Sequence, residues 1–209
     1  MTLFQSCLGV VLAGGKSSRM GQNKAGLLRD NQDMLSYSKS LLNAAGSSQV
    51  VVSGGEHGVD DLIADMGPLG GIQSIIEQFK PQALLILPVD LPLMTSNELL
   101  ALKQAGELSQ RACYFTDNYL PLYLPVNAFV EQFFQQSLSR TYYQGKSQVV
   151  SKSANNKRNL SGPSVRSLLT QIPHREITPK NSQCLFNTNT PEQWQQAKQL
   201  LSLQRKSHV

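Results

Sequence analysis

The chain has 209 residues, 40% hydrophobic and 16% charged, enough to bury one substantial core in one domain. Its formal charge of +5 is uneven: residues 1–139 hold 8 Lys/Arg against 12 Asp/Glu, whereas residues 140–209 hold 11 Lys/Arg against only Glu176 and Glu192. That basic third has few aromatics between its cations and no helix-turn-helix or finger spacing, which speaks against nucleic acid as a partner. Cys7, Cys113 and Cys184 form no C-x-x-C pair, against a zinc site or a disulfide framework. No apolar stretch approaches the ~20 residues of a membrane span, so a cytoplasmic protein without a membrane partner is expected.

In chain order, LGVVLA (8–13), QVVVS (49–53) and ALLILP (83–88) are continuous apolar runs, the pattern of strands buried on both faces. Helical segments are predicted over Met34 to Ala44, Gly71 to Phe79 and Asn97 to Ala105. RACYFT and YLPLYLP read as further strands, and Val126 to Leu138 and Val165 to Gln171 as helices. A final helix over Pro191 to Leu203 has a start signal, with Thr190 as cap, Pro191 at the first helical position and Gln193 completing a capping box. Residues 135–164 are polar and lack periodicity, and 140–162 in particular reads as a mobile loop. The alternation predicts right-handed crossovers and an α/β fold, a three-layer α/β/α Rossmann-like arrangement on a mainly parallel sheet.

In such a sheet ligands bind outside the carboxyl ends of the strands, where the run VVLAGGKSSRMGQNK (10–24) emerges. Gly14 and Gly15 let backbone N–H groups approach an anion, and Arg19 and Lys24 supply charge suited to a di- or triphosphate; Lys16 is expected to be solvated. The loop is not a Walker A motif, since Val10 stands where its first glycine belongs, and G-x-G-x-x-G is absent. Asp90 follows the third apolar run and falls at the same edge, where one carboxylate beside phosphate oxygens suits Mg²⁺; a helix-capping role is the alternative. GPLGGI (67–72) reads as a loop-to-helix turn or as a backbone surface for a base or ribose.

Leu12 to Lys24 match L-A-G-G-x-S-x-R-M-G-x-x-K, and with GPLGGI, LPVDLPLM (87–94) and NTNTP (187–191) the chain resembles, over nearly its whole length, the nucleotidyltransferase family typified by molybdenum cofactor guanylyltransferase. The resemblance implies a sheet of the nucleotide-diphospho-sugar transferase type in a single domain spanning 1–209. Residues 1–110 would form a GTP-binding half and 111–209 a molybdopterin-binding half. It implies transfer of GMP from GTP to molybdopterin or Mo-molybdopterin, with release of pyrophosphate and formation of a guanine dinucleotide.

Carried over residue by residue, it assigns Leu12, Ala13, Gly14, Gly15, Lys24, Ser53, Asp65, Gly67, Gly71 and Asp90 to the nucleotide. Arg19, Lys24 and Asp90 are assigned to catalysis, and Asp90 to Mg²⁺. Arg166, Asn187 and Asn189 are assigned to molybdopterin, and molybdenum-insertion and molybdoenzyme-maturation proteins are implied as partners. Ser53 stands where the family commonly has Asn, and Leu120-Pro121-Leu122 where it often shows His-Pro-Leu. Two other readings stay open: a related CTP-dependent cytidylyltransferase and a non-catalytic GTP-binding paralogue.

Overall fold

In the computed structural model, residues 6–14, 24–54, 58–60, 67–147 and 162–206 are described. The chain folds as β1 (Cys7–Leu12), a hairpin of β2 (Leu28–Arg29) and β3 (Gln32–Asp33), α1 (Met34–Ala44), β4 (Gln49–Ser53) and α2 (Pro68–Phe79). There follow β5 (Ala83–Pro88), α3 (Ser96–Ser109), β6 (Ala112–Phe115), β7 (Asn118–Pro125), α4 (Ala128–Ser147), α5 (Val165–Leu169), β8 (His174–Ile177) and α6 (Pro191–Lys206). Six strands form one sheet in the order β4-β1-β5-β7-β6-β8. β7 runs antiparallel to both its neighbours, while the β1–β4, β1–β5 and β6–β8 pairs are parallel.

The apolar runs are continuous because each strand feeds two cores. Cys7 and Val11 of β1, with Leu85 and Leu87 of β5, pack beneath α1, α3 and Trp194 of α6. Leu8, Val10 and Leu12, with Leu84 and Ile86, pack beneath α2, α4 and α5. This is the expected three-layer α/β/α arrangement on a mainly parallel sheet.

Several elements depart from the sequence reading. α2 starts at Pro68, not Gly71, because Gly67 takes φ 62° at the cap and Pro68 is already set for the first turn. Gly70 and Gly71 are therefore buried inside the helix. α4 runs on to Ser147, past the expected end at Leu138; its second half lacks an apolar stripe, so periodicity does not announce it. Residues 140–147 of the expected loop are thus helical, and 148–161 lie outside the described residues. The β2–β3 hairpin and β8, of two and four residues, are too short for periodicity to mark.

Candidate functional site

Parallel register aligns three strand ends. Leu12 pairs with Ser53 on one side and with Pro88 on the other, so the chain leaves β1, β4 and β5 at one edge. A cavity of about 320 Å³ opens there, lined by Leu12, Ala13 and Gly14 after β1, Lys24, Pro68 at the start of α2, and Val89, Asp90 and Leu91 after β5. Asn118 and Leu120 of β7 and, from the C-terminal third, Leu185 and Asn187 complete it.

At this edge Lys24 Nζ lies 3.0 Å from Asp90 Oδ2 and donates to Asn189 Oδ1 at 2.6 Å. Both partners of the ion pair are mostly buried, their side chains 17% exposed. Asp90 is held through its backbone: Thr188 donates to the Asp90 carbonyl from its N–H (3.0 Å) and from its hydroxyl (3.1 Å), and is itself 1% exposed. Asn189 is held by the start of α6. The Gln193 amide oxygen accepts from the N–H of Asn189 (2.7 Å) and of Thr190 (3.1 Å), and Thr190 Oγ1 accepts from Gln193 N–H. The expected capping box is present, and it also orients the residue that touches Lys24.

Asp90 Oδ1 is buried and has no hydrogen-bond partner among the described residues. An orphaned carboxylate oxygen is costly to bury, so this atom fits a site for a cation. No group of three or more His, Cys, Asp or Glu gathers among the described residues, and a cation here would complete its shell with phosphate oxygens and water.

The other expected residues divide. Leu12, Ala13, Gly14, Lys24, Asp90 and Asn187 line the cavity, and Asn189 borders it through Lys24. Gly14 does not offer its amide to an anion as expected: the N–H groups of Ala13 and Gly14 both donate to Ser53 O, at 3.0 and 3.2 Å. The Ser53 carbonyl is accordingly spent on the first loop, and its residue is buried. Gly67 caps α2 beside Pro68, Gly71 is enclosed in that helix, and Arg166 is exposed on α5; none of the three lines the cavity. Gly15, Lys16, Arg19 and Asp65 lie outside the described residues.

Sequence reading missed Thr188, which sits between the two asparagines it singled out, and Glu98. Glu98 is 5% exposed and accepts from the N–H groups of Lys180 (3.2 Å) and Asn181 (3.0 Å), fastening the segment that leads to Asn187. The three cysteines are buried away from this chemistry, and burial pushes the Cys7 and Cys184 thiols up to about 12.

A family model described as the MobA-like NTP transferase domain matches residues 9–156. The chain is 36% identical over 203 residues to the molybdenum cofactor guanylyltransferase of Xanthomonas euvesicatoria pv. vesicatoria (strain 85-10), covering 93% of this chain and 95% of that protein. The structure of molybdopterin-guanine dinucleotide biosynthesis protein A from Archaeoglobus fulgidus superposes with a TM-score of 0.64 at 18% identity, over 93% of this chain and 98% of the other. Rv0371C from Mycobacterium tuberculosis H37Rv, solved in complex with manganese, gives a TM-score of 0.53 at 15% identity over 94% and 99% of the two chains. At these identities the two structural likenesses speak for the fold alone, an α/β sheet flanked by helices. Among the described residues no helix is long and apolar enough to cross a membrane. With the family model matching most of its length and its strand-end cavity built from the motif residues, the chain belongs to the MobA-like NTP transferase family of nucleotidyltransferases.

Proposed function

We propose that the chain transfers GMP from GTP to molybdopterin, or its molybdenum-loaded form, and releases pyrophosphate. The observation that carries this reading is the meeting of Lys24, Asp90 and Asn189, from three separate motifs, at the cavity on the carboxyl edge of β1 and β5. A terminal phosphate oxygen of molybdopterin forms the new bond to the α-phosphorus of GTP while the bond from that phosphorus to the bridging oxygen of pyrophosphate breaks. The attacking phosphate is already anionic, so no covalent enzyme intermediate is needed, and the protein's part is alignment and charge neutralisation.

Each residue has a defined share. Lys24 exchanges its present acceptors, Asp90 Oδ2 and Asn189 Oδ1, for phosphate oxygens of GTP. Asp90, whose Oδ1 has no hydrogen-bond partner among the described residues, would hold a divalent cation, Mg²⁺ in this proposal. When bound, that ion neutralises the phosphates and templates their approach. Arg19 adds a second cation on the same loop, and the glycines at 14, 15, 67 and 71 with Asp65 and Ser53 belong to the nucleotide half. Asn187, which lines the cavity, and Arg166 serve the molybdopterin half, in a cytoplasmic reaction that maturation proteins feed and drain.

Titration of the purified protein with GTP, CTP and ATP in the presence of Mg²⁺ tests this directly. Preferential binding of GTP, and pyrophosphate release once molybdopterin is added, are expected. Preference for CTP would assign the chain to cytidylyl transfer, and GTP binding without pyrophosphate release would leave it a non-catalytic binder.

A further inference from the structure

Two segments carry the ion pair at the site, and they are joined at more than the pair itself. Lys24 opens a short turn in which Leu27 N–H donates to Lys24 O; Met34 N–H then donates to Leu27 O, so the β2–β3 hairpin and the start of α1 follow as one folded unit. Asp90 opens the second segment, which runs through Pro92 to Met94. Lys24 meets Asp90 at 3.0 Å, Arg29 Nε donates to Pro92 O at 2.7 Å, and the Tyr37 hydroxyl donates to Met94 O at 2.6 Å. The three contacts advance along both segments in the same order. Only the first uses a side chain the reaction must release.

The middle contact is the most specified. The Arg29 guanidinium lies 4.0 Å from the centroid of the Tyr37 ring, which is 9% exposed, and pairs with Asp30 at 3.5 Å; the Arg29 side chain is 21% exposed. A planar, delocalised cation stacked on an aromatic ring has its Nε–H direction set, which lysine cannot reproduce. Arg29 is not among the residues that line the cavity, and it donates to the backbone two residues beyond Asp90.

We infer that Arg29 is a positioning residue: its bond to the Pro92 carbonyl holds the Lys24 turn and the Asp90 loop at the spacing that phosphoryl transfer requires. The inference rests on the proposed transfer for its kinetic readout but not for its structural one. When GTP draws Lys24 away from Asp90, the Arg29–Pro92 and Tyr37–Met94 bonds remain and keep the two segments in register.

The test uses the full chain as wild type, Arg29→Ala and Arg29→Lys, with three readouts: kcat and KM for GTP, the thermal midpoint, and the rate at which acetic anhydride acylates Lys24 relative to the exposed Lys180, by peptide mass spectrometry. Misplacing a reacting group by a fraction of an ångström to an ångström lowers rate steeply, so kcat should fall about tenfold or more in both variants while KM for GTP stays within about twofold. Lys24 should be acylated several-fold faster in both, in the absence of nucleotide, because it is no longer held on Asp90. Unchanged kcat and unchanged Lys24 acylation would overturn the inference, as would loss of activity only in proportion to loss of folded protein, with full rescue by Arg29→Lys. If wild type itself transfers no GMP, the transfer reading fails and the acylation rates alone decide the brace. If Arg29→Ala does not fold, Arg29→Lys carries the same comparison.

Discussion

The two halves of the site are built by different means. On the β1/β4/β5 side, Leu12, Ser53 and Pro88 stand in register, and backbone bonds from Ala13 and Gly14 to Ser53 and from Val89 to Leu12 tie the strand ends together. Residues placed this way depend on the parallel ladder, which any apolar strand sequence supports. On the C-terminal side no strand delivers Asn187 or Asn189. They arrive on an irregular segment clasped by side chains, Glu98 to Lys180 and Asn181 at one point and Thr188 to Asp90 at another. The first half should therefore be robust except at its charged groups, and the second sensitive to single clasps.

Removing a charged group from the robust half gives the largest effect. Asp90→Ala should lower transfer about a thousandfold, the order seen when a group facing transition-state charge is lost, with the fold retained. Steady-state pyrophosphate release checks it, and a variant within tenfold of wild type would remove Asp90 from the chemistry. Lys24→Ala should weaken Mg²⁺-dependent GTP binding as well as rate, by about a hundredfold in kcat/KM.

Breaking a clasp acts on stability and placement together. Glu98→Ala leaves two backbone N–H groups without their charged acceptor and should cost about 2–3 kcal/mol, read as a shift of the denaturation midpoint. Its hydrogen-exchange signature should be faster exchange over residues 180–189. If protection is lost evenly across β1 and β5 instead, the two halves are not separable.

Thr188→Val is milder, because the Thr188 N–H still reaches the Asp90 carbonyl after the hydroxyl is gone. A cost of about 1 kcal/mol and a severalfold fall in kcat are expected, with Mg²⁺ dependence shifted to higher concentration. An unaltered Mg²⁺ profile would show that the clasp does not set the position of Asp90.

The smallest effect concerns a cap away from both clasps. Asp33 accepts from Ser36 N–H at the start of α1, and these bonds lower its pKa below the ordinary carboxylate value. A lowered folded pKa means that its contribution is complete above the unfolded value and is lost as pH falls through the folded one. The thermal midpoint of wild type should therefore drop more steeply below about pH 4 than that of Asp33→Asn, which keeps a capping oxygen without a titrating proton. Parallel midpoint curves for the two would refute this.

Much of the first half was legible in the residues. Uninterrupted apolar runs identify strands buried on both faces, and the motif residues at their ends, Leu12 to Gly14, Lys24 and Asp90, fall at the edge where such a sheet binds ligands. How the Ala13 and Gly14 amides are used was not legible. That the Gly14 N–H turns to Ser53 O, 39 residues on, depends on β4 lying beside β1, a pairing that no local pattern encodes.

The sequence by itself thus determined the layer architecture, the edge of the sheet where the cavity opens and the capping box of α6, because these follow from local periodicity and short-range hydrogen bonding. Only the tertiary structure decided that Asn189 accepts from Lys24, that Thr188 donates to Asp90, and that Arg29 and Glu98 bond to segments that border a cavity they do not line. Each is a contact across more than 60 residues, with separations of 165 for Lys24 with Asn189 and 98 for Thr188 with Asp90. Such contacts are specified by the packing of whole elements, so their residue types, an asparagine, a threonine, an arginine and a glutamate, carry no mark of them along the chain.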